Sequence, residues 1–262
     1  MTVHIIIQGP TTGYEEIIKD NIRLIYSHYP KACVAVQSTC INQELSEFCN
    51  KQPDAIYHNI RDVGSFRRTK STRNSFPNLN RQIYSSMMRA PPKFDVTVKI
   101  RADLRIKSLY FIKKSVNYVT KHPKRVGIVA ITTTGIRNMK YGLYHVCDWV
   151  YIMNTAIYQN VFNETNSSCE EDLYQSNGEM RFACESFITR EILSSLGFQD
   201  LALDQFDQKF VKIWAKQYNI TFFMIPYLST FSSAKYPRVF GNLRNSHLYG
   251  FDFFSTLRLL LS

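Results

Sequence analysis

The 262-residue chain nowhere approaches the ~18 consecutive apolar residues that a membrane-spanning helix needs, so no crossing helix is expected. It also lacks a basic leader. The opening Met1-Thr2-Val3-His4-Ile5-Ile6-Ile7-Gln8-Gly9-Pro10 carries only a short apolar run, which predicts a buried strand rather than a secretory signal. No CxxC pair and no Cys/His cluster occurs among Cys33, Cys40, Cys49, Cys147, Cys169 and Cys184, which argues against structural zinc and against a disulfide framework. The cysteines are read as reduced thiols of a cytoplasmic protein, at most one working at the cytosolic face of a membrane. In that setting the acceptor-type sequons at Asn163, Asn166 and Asn219 are chance matches. Internal repeats, low-complexity tracts and a convincing linker are missing too. One domain over residues 1–262 is the expectation.

What is present reads as globular. Hydrophobic residues make up 45% of the chain, aromatics 14% and charged residues 20%, which argues against disorder and against collagen. With 32 Lys+Arg against 21 Asp+Glu the net charge is +11, a balance suited to phosphates, nucleic acid, anionic lipid or acidic sugars.

The first forty residues spell a strand, a helix and a second strand. Val3 to Ile7 is a continuous apolar run closed by Gln8-Gly9-Pro10. Tyr14 to Tyr29 spaces Ile17, Ile18, Ile22, Leu24 and Ile25 for a helix that Pro30 ends, and Ala32 to Val36 is apolar again. Further strands are expected at Phe94 to Ile100, Val126 to Ile131, Val146 to Ile152 and Thr221 to Ile225. Helices are expected from Asn80 to Pro91, at Leu109 to Val119, at Cys184 to Leu196 ahead of Gly197, and at Phe210 to Tyr218. Alternating strands and helices predict an α/β fold with a mostly parallel central sheet flanked by helices, and ligands in such sheets bind at the carboxyl ends of the strands. Residues 59–80, with Arg61, Arg67, Arg68, Lys70 and Arg73 among small polar residues, read as a mobile basic loop or a solvated charge run. Residues 163–179 read as polar loop.

The strongest local constellation is Lys99-Ile100-Arg101-Ala102-Asp103 at the end of an apolar strand. A carboxylate there is placed to hold Mg²⁺ or Mn²⁺ on a diphosphate, with Arg101 and Arg105 neutralising phosphate; alternatively Asp103 is a turn former. Asn80 is a candidate N-cap that would set Arg81 and Gln82 in the anion-attracting first turn of a helix, the alternative being an ordinary capped surface helix.

The ordered series Ile6-Ile7-Gln8-Gly9-Pro10, Asn80-Arg81-Gln82-Ile83, Lys99-Ile100-Arg101-Ala102-Asp103-Leu104, Cys147-Asp148-Trp149 and Glu185-Ser186-Phe187-Ile188 resembles the WavE family, linked to lipopolysaccharide synthesis and similar to GT-A type glycosyltransferases. The resemblance spans roughly residues 3–195. It implies a single-domain GT-A (Rossmann-like) fold with a nucleotide-binding part over about 1–105 and an acceptor and catalytic part over about 106–262. It also implies transfer of a sugar from a nucleotide-sugar donor, a UDP-sugar by default, to a glycan, glycolipid or glycoprotein acceptor. Inversion is favoured because separate carboxylates are available as base, whereas retention would need no separate base and would demote Glu185. Asp103 then occupies the metal-binding Asp-x-Asp position, except that residue 101 is Arg, so Arg101 stands ready to take over part of the charge neutralisation. Gln8, Gly9, Pro10 and Thr39 would line the nucleotide pocket, with Asn80, Arg81, Lys99 and Arg101 toward the ribose and diphosphate.

Glu185 and Asp148 are the general-base candidates, Glu185 favoured and Asp148 then a ligand of the acceptor hydroxyl. The alternative for Glu185 is a helix-start carboxylate favoured by the macrodipole. Trp149 is either an acceptor-stacking face or a core aromatic. His247 is a candidate second metal ligand or a structural histidine. The apolar tail Phe251 to Leu261 would cap the core, touch a membrane or close a dimer. Two other functions stay open, a non-catalytic nucleotide- or glycan-binding module of the same fold and a nucleic-acid-binding protein. The second lacks the interleaved aromatics or motif it needs, so no nucleic-acid partner is expected.

Overall fold

The computed structural model describes residues 2–62, 79–88, 93–129, 146, 148–167, 184–199, 217 and 220–232. Val- and Ile-containing runs, buried at every position except Arg101, make its central strands. β1 (Val3–Gln8), β2 (Cys33–Ser38) and β4 (Val96–Arg101) are covered on both faces, as expected where helices flank a parallel sheet. β3 (Ala55–Asn59), β6 (Val126–Ile128), β7 (Val150–Asn154) and β8 (Phe222–Met224) complete a seven-stranded sheet in the order β3-β2-β1-β4-β7-β6-β8. All strand pairs are parallel except those of β7, which runs against both β4 and β6. This is the mostly parallel α/β sheet that the alternation of elements predicts. The direction of β7 carries no sequence signature, because side-chain alternation is the same in either orientation.

Two apolar layers cover the sheet. One face takes Ile5, Ile7, Val34, Val36, Val98 and Ile100 against helices α1 (Glu15–His28), α2 (Gln43–Asn50) and α4 (Tyr110–Lys121). The other takes Ile6, Ala35, Tyr151 and Met153 against α3 (Leu79–Ser86), α5 (Thr155–Val161) and α7 (Cys184–Ser195). A two-residue strand β5 (Arg105–Ile106) pairs with β9 (Phe231–Ser232) in a separate small sheet. Buried Asn21 on α1 fastens that segment, its amide donating to the Leu104 carbonyl at 2.7 Å and its oxygen accepting from the Ile106 N–H at 2.8 Å.

Several boundaries differ from the sequence reading. α2, β3 and α5 were not anticipated. α5 follows β7 without a loop because Asn154 ends the strand and caps the helix, accepting from the Ala156 N–H at 2.9 Å. α3 begins at Leu79, so Asn80 stands within the helix rather than capping it. Part of the expected loop at 163–179 is helical, as α6 (Glu164–Ser167), capped by Asn163 through the Asn166 N–H at 2.9 Å. Cys33, Cys40, Cys49 and Cys184 are free thiols. Residues 63–78 of the basic loop, Cys147, Cys169, most of the helix expected at 210–218, His247 and the apolar tail lie outside the described residues. Among the described residues no helix is long and apolar enough to cross a membrane.

Candidate active site

The register of the sheet sets the site. Gln37 of β2 lies beside Gln8 of β1, and Gln8 beside Arg101 of β4, so three polar side chains form a row on the face under α3. One step back along the strands, Lys99 sits between Ile6 and Tyr151. The period-2 alternation of β4 is responsible: Val96, Val98 and Ile100 face one layer, which leaves Thr97, Lys99 and Arg101 for the other.

Polar bonds dock α3 onto this row. The Gln8 amide donates to Ser85 Oγ, the Gln37 amide to the Met87 carbonyl at 3.1 Å, and the Tyr158 hydroxyl from α5 to the Ser86 carbonyl. At the end of β1, Gly9 adopts φ +136°, a conformation that disfavours side chains. A Cβ there would lie 3.6 Å from that of Ala102.

Asp148, in the turn before β7, is the hub. It accepts from the Gln82 amide at 3.2 Å and from Arg101 Nη1 at 3.5 Å, and its Oδ2 lies 3.8 Å from Lys99 Nζ. Lys99, only 1% exposed, also donates to the Asp148 carbonyl and stands 5.4 Å over the Tyr151 ring. Burial pushes the Lys99 ammonium below its ordinary pKa, while the Asp148 carboxylate pulls it back up. Arg101 lowers it further, and Glu185 and Asp103 raise it. Arg101 forks onto Asp103, with Nε–Oδ1 at 3.1 Å and Nη2–Oδ2 at 2.9 Å. The turn closed by the Leu104 N–H on the Arg101 carbonyl, 3.1 Å, folds the two side chains together. Glu185, in the first turn of α7, is buried and accepts from the Cys184 thiol at 3.0 Å.

The structure thus gathers Gln8, Lys99, Arg101, Asp103 and Asp148, with Glu185 close enough to act on Lys99 electrostatically. Others fall elsewhere. Arg81 forks onto Asp62 beyond β3, and Arg105 pairs with Asp20 of α1 at 2.8 Å. Lys99, expected toward a diphosphate, has its charged end inside the sheet layer instead, because its strand position faces α3 rather than solvent. Trp149 is buried in the opposite layer, which is the core-aromatic alternative. Pro10 is exposed and Thr39 half-buried at the ends of β1 and β2. Gln37, Ser85 and Tyr151 were not foreseen, and Gln82, read from the sequence as a first-turn residue of the helix, bonds the carboxylate hub. The one available signal was the polar run at Gln82, Ser85 and Ser86 on a helix whose apolar side is Ile83 and Met87.

The described residues do not fit a divalent cation. Arg101 takes both oxygens of Asp103, and among the described residues no group of three or more His, Cys, Asp or Glu side chains is placed to hold a metal ion.

No family model matches the chain and no curated protein matches it, so neither comparison supports the WavE resemblance specifically. Among solved structures the chain is similar to the galactosyltransferase LgtC in complex with donor and acceptor sugar analogues. Identity there is 10%, with 75% of this chain and 70% of that one covered and a TM-score of 0.41. An active-site mutant of LgtC is 13% identical, with 95% of each chain covered and a TM-score of 0.46. Neither likeness carries a residue assignment across.

Proposed function

We propose that the chain transfers a sugar from a nucleotide-sugar donor, a UDP-sugar first, to a hydroxyl of a glycan acceptor, the reaction class of the GT-A type glycosyltransferases that its motifs resemble, and that a separate carboxylate base makes the transfer inverting. The observation that carries the reading is the cluster of three carboxylates and two cations at the carboxyl ends of β1 and β4, with Lys99, Asp103 and Glu185 buried and Arg101 and Asp148 half-buried, where ligands of such sheets bind.

Glu185 is the base. It takes the acceptor hydroxyl's proton as that oxygen bonds to the sugar's anomeric carbon and the nucleoside diphosphate leaves with the bonding electrons. Asp148 holds the acceptor hydroxyl in line. Its orientation is set by Gln82 of α3 and by Arg101 and Lys99 of β4, which touch it from two elements. Arg101, held in plane by Asp103, faces the leaving diphosphate, where a planar guanidinium matches paired phosphate oxygens. Gln8, Gly9, Pro10 and Thr39 line the nucleotide side. No step is assigned to a metal.

The test is a melting-temperature series with UDP and GDP, followed by turnover of the sugar donors that bind. Stabilisation and product formation are expected, and Glu185→Gln slows turnover by about 10²–10⁴-fold while keeping the nucleotide shift. A chain that binds neither nucleotide is not a transferase of this class. One that binds but never turns over is a binding module.

A further inference from the structure

We infer that Gln82, through its carboxamide oxygen, binds a hydroxyl of the transferred sugar and so contributes to donor selectivity. The inference rests on the transfer reading above. Gln82 is 6% exposed and its Nε2 donates to Asp148 Oδ2 at 3.2 Å. That bond fixes which way the amide faces, because the reverse orientation would set its oxygen against a carboxylate. Oε1 is thereby held beside Asp148. It is buried, and no donor among the described residues reaches it.

A buried acceptor oxygen without a donor is costly, and the cost is recovered when a ligand supplies one. The ligand group must be a hydroxyl or N–H, since Oε1 only accepts. Its position selects the transferred sugar. Asp148 bridges Arg101 and Gln82, so a diphosphate facing Arg101 places its next group, the sugar esterified to it, alongside Gln82. The neighbouring polar groups support the same chemistry. Gln8 and Ser85 bond each other across the β1–α3 seam, and Gln37 Oε1 is likewise buried with no donor reaching it among the described residues. Gln82 is the one of these that touches the carboxylate hub.

The experiment measures, by calorimetry and without acceptor, the affinity for UDP and GDP and for a panel of their sugar conjugates. In the native chain at least one conjugate binds more tightly than its own nucleotide. In Gln82→Met that increment falls by about 5–10-fold, the size of one neutral hydrogen bond, while affinity for the bare nucleotide holds. A deoxy conjugate lacking the bonded hydroxyl shows the same loss in the native chain and no further loss in Gln82→Met. Gln82→Asn, which keeps the amide on a shorter arm, serves as the second variant should the first fail to fold, and it also loses the increment. The inference is overturned if the increment survives in the variants, if nucleotide and conjugate weaken together, or if no conjugate outbinds its nucleotide. Failure of the native chain to bind any nucleotide overturns the transfer reading itself and is scored separately.

Discussion

The face of the sheet beneath α1, α2 and α4 takes Ile5, Ile7, Val34, Val36, Val98 and Ile100 from its central strands, whereas the face beneath α3 and α7 takes His4, Gln8, Gln37, Lys99 and Arg101 from the same strands. Apart from half-buried Arg101 both sets are buried, so exposure barely distinguishes them. The aliphatic face gains from burying its side chains and asks for no partners. The polar face meets a desolvation penalty at each position and offsets it with specific bonds, from α3 to Gln8 and Gln37 and from Asp148 to Lys99 and Arg101. The comparison separates stability from function: the first face holds the fold, and the second keeps charged and polar groups at the ligand crevice.

That division is open to attack at four points. The largest effect is expected from Glu185→Gln, which removes the proposed base and should lower the proposed transfer rate by about 10²–10⁴-fold with the melting temperature unchanged. Loss of fold instead of rate, read by circular dichroism, would make Glu185 structural. On the aliphatic face, Ile22→Ala, at a position with 0% exposure, costs about 3 kcal/mol in denaturant unfolding. The remaining folded molecules keep their activity. A change in rate per folded molecule would show the two faces to be coupled.

His4 exposes a cost of the polar face through pH. It stacks on Phe94 at 4.9 Å, and neither ring nitrogen meets a hydrogen-bond partner among the described residues. Burial, with a smaller contribution from His58, lowers its pKa from 6.5 to about 4. Between those values the unfolded chain binds a proton that the folded chain refuses. Stability contributed above pH 6.5 is therefore lost as pH falls toward 4, by about 3 kcal/mol in all. Urea unfolding at stepped pH should show this slope in the native chain and its removal in His4→Leu.

The smallest effect is expected from chelation. With Arg101 on both oxygens of Asp103, nucleotide affinity in EDTA should stay within about twofold of its value with Mn²⁺. A strict metal requirement would mean that the guanidinium leaves Asp103 when donor binds. Arg101→Asp, which builds the missing carboxylate, should make binding metal-dependent.

Much of the scaffold was legible because burial on both faces leaves a plain mark. The runs at Val3 to Ile7 and Ala32 to Val36 are strands in the structure, and α7 ends at Ser195, ahead of Gly197 at φ +85°. The short, half-exposed β3 and the loopless α5 left no such mark. Lys99, Arg101 and Asp103 could be picked out because they interrupt or follow an apolar strand. Which of them faces a ligand could not, since that depends on Gln82 and Asp148, brought to the strand end from elsewhere in the chain.

The amino-acid sequence by itself determined the alternation of elements, the parallel character of most of the sheet and the polar positions of β4, because these follow from local periodicity. Only the tertiary structure decided that Lys99 turns inward, that Arg101 closes on Asp103, that Trp149 is core and that Gln82 meets Asp148. Apart from the Arg101–Asp103 pair, which is local to the turn after β4, each of those is a contact between elements. Its energy depends on burial and distance, which exist once α3, β4 and β7 have come together.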